Sequence, residues 1–257
     1  MRRFEGLTCL ITGATGGFGA VTAKRLAAEG ARLVLSDLDE ERLADLADEL
    51  DAETAVLAGD VGAPEFHGAL VALATEKFGA LDVAVNNAGI ANPLNRIEDI
   101  PEDEAEAVIR IDLMGVFWAL KAQLPAMDRR KGGRGGAIVN VASAAGVGGA
   151  PGVGIYAAAK HGVVGLTRTA AAENARRGIR VNAVCPAYAR TPMVEEALLG
   201  EGGSDDEQKV AHLVRGVPMR RLGTPEEVAQ AICFAAAPEN GFMTGQTVVV
   251  DGGIGAV

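Results

Sequence analysis

Short apolar runs alternate with longer amphipathic stretches along all 257 residues of the chain. The runs are continuously apolar, as expected for strands that are covered on both faces. They predict strands over 7–12, 32–37, 54–60, 81–87, 136–143, 179–185 and 246–251. The intervening stretches predict helices near 18–29, 39–50, 64–78, 102–127, 155–177 and 225–237. This alternation predicts an α/β fold, a doubly wound seven-stranded parallel sheet with helices on both faces.

The pattern shows neither an internal repeat nor a break between two domains, so we expect a single domain over 1–257. One segment, 190–216, does not follow the alternation and is too long for an ordinary connection. Long loops of this kind are often functional, and we expect a substrate lid here.

Composition narrows the class of protein. With 49% hydrophobic residues and a net charge of −10, the chain reads as a soluble protein with no basic stripe for nucleic acid. No run approaches the ~20 apolar residues of a membrane span. Cys9, Cys185 and Cys233 are far apart and lie in apolar surroundings. They are expected to be reduced core residues in the cytoplasm rather than ligands of a metal.

A glycine-rich turn follows the first predicted strand. The sequence TGATGGFG places Gly13, Gly17 and Gly19 where a strand gives way to a helix, a geometry that lets backbone N–H groups approach a pyrophosphate. Asp37 ends the second strand and can accept hydrogen bonds from the adenosine ribose while repelling a 2′-phosphate. Leu38 follows it, and the loop has no basic residue. We therefore predict NAD(H) rather than NADP(H).

A second group of residues points to chemistry. Tyr156 and Lys160 are four residues apart and therefore share one helix face, and Ser143 lies at the end of the fifth strand. The carboxyl ends of parallel strands form the ligand-binding edge of such sheets. We expect these residues to meet the glycine loop there.

These motifs, in this order, closely resemble those of the short-chain dehydrogenase/reductases. The resemblance runs from about residue 5 to 253 and includes TGATGGFG, Asp37, DV at 60–61, NNAG at 86–89, Ser143, YAAAK at 156–160, RVNAVCPAYARTPM at 180–193 and VVVDGG at 248–253. It implies a Rossmann-type sheet of seven strands and, usually, a homotetramer.

The resemblance also implies roles for individual residues. Tyr156 would be the general acid/base, Lys160 would favour its phenolate and hold the nicotinamide ribose, and Ser143 would orient the substrate oxygen. The cofactor would be NAD, contacted through residues that match family positions: Gly13, Thr15, Gly17, Phe18, Gly19, Asp37, Asp60, Val61, Asn87, Gly89, Tyr156, Lys160, Pro186 and Thr191. Among these, Asp60 and Val61 would contact the adenine, and Thr191 would hold the nicotinamide carboxamide.

At two positions the chain departs from the family pattern. Ala187 follows Pro186, where the family commonly has glycine. Because alanine adopts positive φ less readily than glycine, we expect the loop after the sixth strand to be slightly altered without loss of function. Asp112 stands where the family usually has an asparagine that holds a water linked to the lysine. In the family, this water belongs to a relay that delivers protons to the tyrosine. We expect Asp112 to take part in that relay, with its charge offset by Lys160 through the water. The alternative is that Asp112 only forms a hydrogen bond with a nearby helix group and does not affect activity.

The sequence thus predicts an NAD(H)-dependent enzyme that interconverts a modest, mainly apolar secondary alcohol and its ketone. Residues 144–153, 92–94 and 193–215, together with Tyr188, would line the substrate pocket. Two alternatives stay open: a 3-oxoacyl thioester reductase, which usually requires NADPH and a basic surface, and a catalytically silent nucleotide-binding scaffold. A sugar-nucleotide epimerase would need a longer carboxy-terminal domain.

Overall fold

The fold is built on one sheet of seven parallel strands, in the order β3-β2-β1-β4-β5-β6-β7. The computed structural model describes residues 2–195 and 207–257. The strands are β1 (Thr8–Thr12), β2 (Arg32–Ser36), β3 (Thr54–Val56), β4 (Val83–Asn86), β5 (Gly136–Val141), β6 (Ile179–Pro186) and β7 (Thr247–Val250). The sheet predicted from the apolar runs is confirmed, and its order reverses between β1 and β4, where doubly wound folds bind ligands.

Helices connect the strands on both faces of the sheet. They are α1 (Gly17–Ala28), α2 (Glu40–Glu49), α3 (Pro64–Phe78), α4 (Glu102–Val108), α5 (Gly115–Met127), α6 (Gly154–Asn174), α7 (Pro192–Val194), α8 (Glu207–Leu213) and α9 (Pro225–Ala236). Two apolar clusters form the core, one packing α1 and α9 on the sheet and the other packing α3, α5 and α6 on its opposite face.

Two elements differ from the sequence expectation. Strand β3 ends at Val56 rather than residue 60, because it is the edge strand and pairs with β2 alone. The helix predicted over 102–127 is interrupted by a π-helical turn, Ile109–Met114, in which the Gly115 N–H donates to the carbonyl of Arg110. Such turns are frequent at functional sites.

The predicted lid is described only in part. Helix α7 and helix α8 lie within it, and Val194, Val210 and Leu213 pack around Val214 and Val217. Leu198 and Leu199, which belong to the segment 193–215 expected to line the substrate pocket, lie outside the described residues. Across the described ranges, no helix is long and apolar enough to cross a membrane.

Candidate active site

The glycine loop is shaped so that side chains would not fit. Gly13 has a φ of +64°, which glycine adopts without strain. A Cβ on Gly17 would lie 2.7 Å from Thr191 Cγ2, and one on Gly19 would lie 2.0 Å from the Gly13 carbonyl oxygen. Phe18 turns away from the loop and packs against the core. The backbone at the start of α1 is thus bare, as close approach to a pyrophosphate requires.

Asp37 lies beside this loop, just after β2. One oxygen, Oδ2, accepts hydrogen bonds from the Thr15 N–H (2.9 Å) and hydroxyl (2.7 Å), and Oδ1 accepts from the Leu38 N–H (2.8 Å). The carboxylate is therefore fixed at the edge of the loop. Arg42, in the first turn of α2, donates to the Thr15 carbonyl at 2.9 Å. A basic residue therefore lies beside the glycine loop, although no arginine or lysine follows Asp37 directly in the sequence.

Asp60 and Val61 follow β3 at the same edge of the sheet. Asp60 Oδ1 accepts from the Gly62 N–H at 2.7 Å and Oδ2 from Arg110 at 2.6 Å. Partial burial alone would raise the pKa of Asp60, but these two donors outweigh it and hold the pKa below its usual value.

The end of β4 closes the middle of the cleft. The Asn87 side-chain amide donates to the carbonyls of Thr12 (3.1 Å) and Gly13 (2.9 Å), which ties the NNAG segment to the glycine loop. Gly89 lies close to two charged side chains, and a Cβ there would be 3.0 Å from Asp112 Oδ2 and 3.2 Å from Lys160 Nζ.

Tyr156 and Lys160 lie together on the first turns of α6. The Lys160 ammonium is 5.4 Å from the centre of the Tyr156 ring and donates to the carbonyl of Val141, the last residue of β5, at 3.3 Å. Ser143 lies two residues beyond. Its hydroxyl accepts from the Ala145 N–H at 3.1 Å and donates to the Pro186 carbonyl at 3.4 Å. The fold brings these sequence-predicted groups to one edge of the sheet.

Asp112 is fully buried and forms a direct ion pair with Lys160, Oδ2 to Nζ, at 3.0 Å. Its other oxygen accepts from the Ile90 N–H at 2.8 Å. The expectation of a water between the two side chains is wrong in this conformation, because a 3.0 Å separation leaves no room for one. Burial opposes the charged form of Lys160, but the Asp112 carboxylate outweighs it and raises the lysine pKa.

The strand-six loop completes the site. Thr191 is nearly buried, and its hydroxyl accepts from the Val194 N–H at 3.4 Å as the N-cap of α7. Arg220 is the one non-glycine residue with positive φ among those described, so Ala187 occupies ordinary backbone. Alanine in place of the family glycine therefore causes no backbone strain here.

Apolar side chains stand exposed on the segments that we expected to line the substrate pocket: Leu94, Val147, Tyr188 and Met193. Exposed apolar side chains on these segments favour an apolar ligand. The described residues include no group of three or more histidine, cysteine or acidic side chains that could hold a metal ion.

Comparison with known proteins gives the family. The family model described as enoyl-(acyl carrier protein) reductase matches residues 13–255. Cyclohexanol dehydrogenase from Acinetobacter sp. (strain SE19) is 40% identical over 97% of this chain and 95% of its own length. The 3-oxoacyl-[acyl-carrier-protein] reductase FabG from Thermotoga maritima is 39% identical over 98% and 99%. The crystal structure of levodione reductase superposes with a TM-score of 0.92 at 37% identity, covering 99% of both chains. The chain is therefore an oxidoreductase of the short-chain dehydrogenase/reductase family.

Proposed function

We propose that this protein is an NAD(H)-dependent oxidoreductase that interconverts a secondary alcohol and its ketone. The observation that carries the proposal is the placement of Tyr156 against a buried, ion-paired lysine at the edge of the sheet that also holds the bare glycine loop. An ammonium held in its charged form favours the phenolate of a neighbouring tyrosine, and this is what a proton acceptor for an alcohol requires.

Each residue has a defined task in this scheme. Tyr156 removes the hydroxyl proton during oxidation and returns it during reduction. Ser143, whose hydroxyl is anchored at the ends of β5 and β6, orients the substrate oxygen and stabilises charge that develops on it. When bound, the nicotinamide supplies the acceptor or donor of the hydride.

The choice of NAD rests on Asp37. Its carboxylate is fixed beside the glycine loop, where it would accept hydrogen bonds from ribose hydroxyls and repel a 2′-phosphate. Arg42 counts in the other direction, since its guanidinium reaches the same loop. We propose NAD because three hydrogen bonds hold the Asp37 carboxylate in place, whereas the Arg42 side chain is exposed.

The proposed substrate class follows from the exposed apolar residues on the segments expected to line the pocket and from the relatives. Cyclohexanol dehydrogenase is named for a cyclic secondary alcohol, and levodione reductase is named for the reduction of a dione. We propose a modest cyclic or aliphatic secondary alcohol, and a cytoplasmic homotetramer as the working assembly. The exposed Phe117 on α5 would lie between subunits of such a tetramer. Light scattering tests that assembly, with an expected mass of four 26.3 kDa chains.

The test is the formation of NADH by the purified protein across a panel of secondary alcohols, with NADP as the paired control. We expect cyclohexanol to be among the substrates and NAD to be preferred. Tyr156→Phe should reduce kcat by at least about 100-fold while NADH still binds. A variant that retains more than about a tenth of kcat would remove Tyr156 from the assigned role.

A 3-oxoacyl thioester reductase is the second candidate. The relative FabG favours it. A cluster of basic residues, the kind of surface that a carrier protein would need, does not support it further. The cluster stands at the amino ends of β5 and β6 and comprises Arg129, Arg130, Lys131, Arg134, Arg176 and Arg177. It lies at the edge of the sheet opposite Tyr156, so a carrier protein bound there would face away from this chain's own site. NADPH oxidation with an acetoacetyl thioester, faster than NADH formation with any alcohol, would favour this candidate.

A further inference from the structure

We propose that Arg110 is a positioning residue for the adenine half of the cofactor, because it holds the Asp60 carboxylate as a fixed hydrogen-bond acceptor. This inference rests on the proposed function, since it concerns how the same dinucleotide is recognised. Nothing in the family pattern quoted above involves Arg110, which lies 50 residues from Asp60 in the chain.

The Asp60 carboxylate is held from two sides. The Gly62 N–H donates to Oδ1 at 2.7 Å, and Arg110 Nη1 donates to Oδ2 at 2.6 Å. The Gly62 contact lies within the same turn, so by itself it leaves the side chain tethered only to its own backbone. Arg110 comes from a different element and fixes the direction of the carboxylate in the cleft.

The backbone of the next residue, Val61, is also fixed. The His67 ring nitrogen Nε2 contacts the Val61 carbonyl at 2.8 Å, from α3. A Cβ on Gly115 would lie 3.1 Å from the same carbonyl oxygen. The segment therefore packs tightly between α3 and the end of the π turn, and Arg110 is the contact that orients its charged side chain.

The π turn places two charged residues at two different parts of the cleft. Arg110 is half exposed and reaches Asp60, whereas Asp112, two residues later, is buried and reaches Lys160. One short element thus contacts the segment expected to bind adenine and the lysine expected to assist the reaction.

The ion pair between Arg110 and Asp60 contributes little to the stability of the fold. Its side chains are 49% and 42% exposed, and exposed pairs contribute little to stability, about 0–1 kcal/mol. A fixed carboxylate, by contrast, has free lone pairs and only accepts hydrogen bonds. The adenine ring offers an amino group to such an acceptor, whereas hypoxanthine carries a carbonyl oxygen at that position, which a carboxylate repels.

The experiment compares the binding of NADH and of reduced nicotinamide hypoxanthine dinucleotide by fluorescence titration, without substrate. We expect the wild-type protein to bind NADH at least about fivefold more tightly, the value of one hydrogen bond. Arg110→Ala should weaken NADH binding by about the same factor and leave the hypoxanthine analogue unchanged. Arg110→Lys should retain part of the preference, because it keeps the charge without the planar fork.

Lys24→Ala is the matched control. It removes one positive charge and one ion pair of similar exposure, that with Glu49, away from Asp60, and should leave both affinities unchanged. Equal weakening of both nucleotides by Arg110→Ala, or no change in either, would overturn the inference while leaving the proposed function intact. Failure of the wild-type protein to bind NADH at all would overturn both.

Discussion

Lys160 and Asp112 form a direct ion pair inside the protein, with Nζ and Oδ2 3.0 Å apart and both side chains almost inaccessible to water. A buried charge that loses its partner is costly, by about 3–5 kcal/mol. The pair is therefore a structural element as well as a part of the candidate active site.

Asp112→Asn should lower the free energy of unfolding by about 3 kcal/mol at neutral pH, because it leaves the Lys160 ammonium buried without a counter-charge. The measurement is urea denaturation at one fixed protein concentration. Lys160→Met and the double variant complete the cycle. The double variant should lose clearly less than the sum of the two single changes, and strict additivity would show that the side chains do not interact.

The same pair should determine how activity falls at alkaline pH. Asp112 raises the pKa of Lys160 against the opposing effect of burial. The contribution of this ion pair to the stability of the fold is complete below the usual lysine pKa of about 10.4. It is lost as the pH rises through the higher pKa that Lys160 has in the folded protein. Asp112→Asn removes the strongest effect that opposes burial, so the pKa of Lys160 falls and the lysine loses its proton at lower pH.

We therefore expect the alkaline limb of kcat/KM in Asp112→Asn to move to lower pH by at least about one unit. The check is a profile of cyclohexanol oxidation from neutral to strongly alkaline pH. A wild-type kcat and an unshifted limb in Asp112→Ala would mean that Asp112 only satisfies the Ile90 N–H.

Cofactor preference should depend on Asp37 and Arg42 together. Asp37→Ser should raise kcat/KM with NADP at least about tenfold, since it removes the charge that repels the 2′-phosphate and leaves the Arg42 guanidinium beside the loop. Adding Arg42→Ala should abolish that gain. If the double variant keeps the gain, Arg42 does not contact the phosphate.

Most of the sheet could be predicted from the sequence, because a parallel strand covered on both faces appears as an uninterrupted apolar run. The positions of Gly13, Ser143 and Tyr156 at one edge followed from that topology. The π turn could not be predicted, since six residues are too few to distinguish its period from that of an α-helix. The contacts of Arg42 and Arg110 could not be predicted either. Both side chains are exposed, and their partners, the Thr15 carbonyl and the Asp60 carboxylate, lie 27 and 50 residues away in the chain.

Residue 19 of the glycine loop should not tolerate an added methyl group, in contrast with an ordinary helical glycine. A Cβ on Gly19 would lie 2.0 Å from the Gly13 carbonyl oxygen, which is backbone and cannot move aside. Gly19→Ala should therefore lower the free energy of unfolding by at least about 2 kcal/mol and weaken NADH binding. A Cβ on Gly68, on the exposed face of α3, would have no atom within 4 Å.

Gly68→Ala is thus the matched control, and it should stabilise the protein by up to about 1 kcal/mol, the difference in helix propensity. Thermal unfolding with and without NADH measures both effects in the same samples. A Gly19→Ala variant as stable as Gly68→Ala would show that the turn between β1 and α1 can open. The requirement for glycine at residue 19 would then come from the bound pyrophosphate alone, and the variant would still lose affinity for NADH.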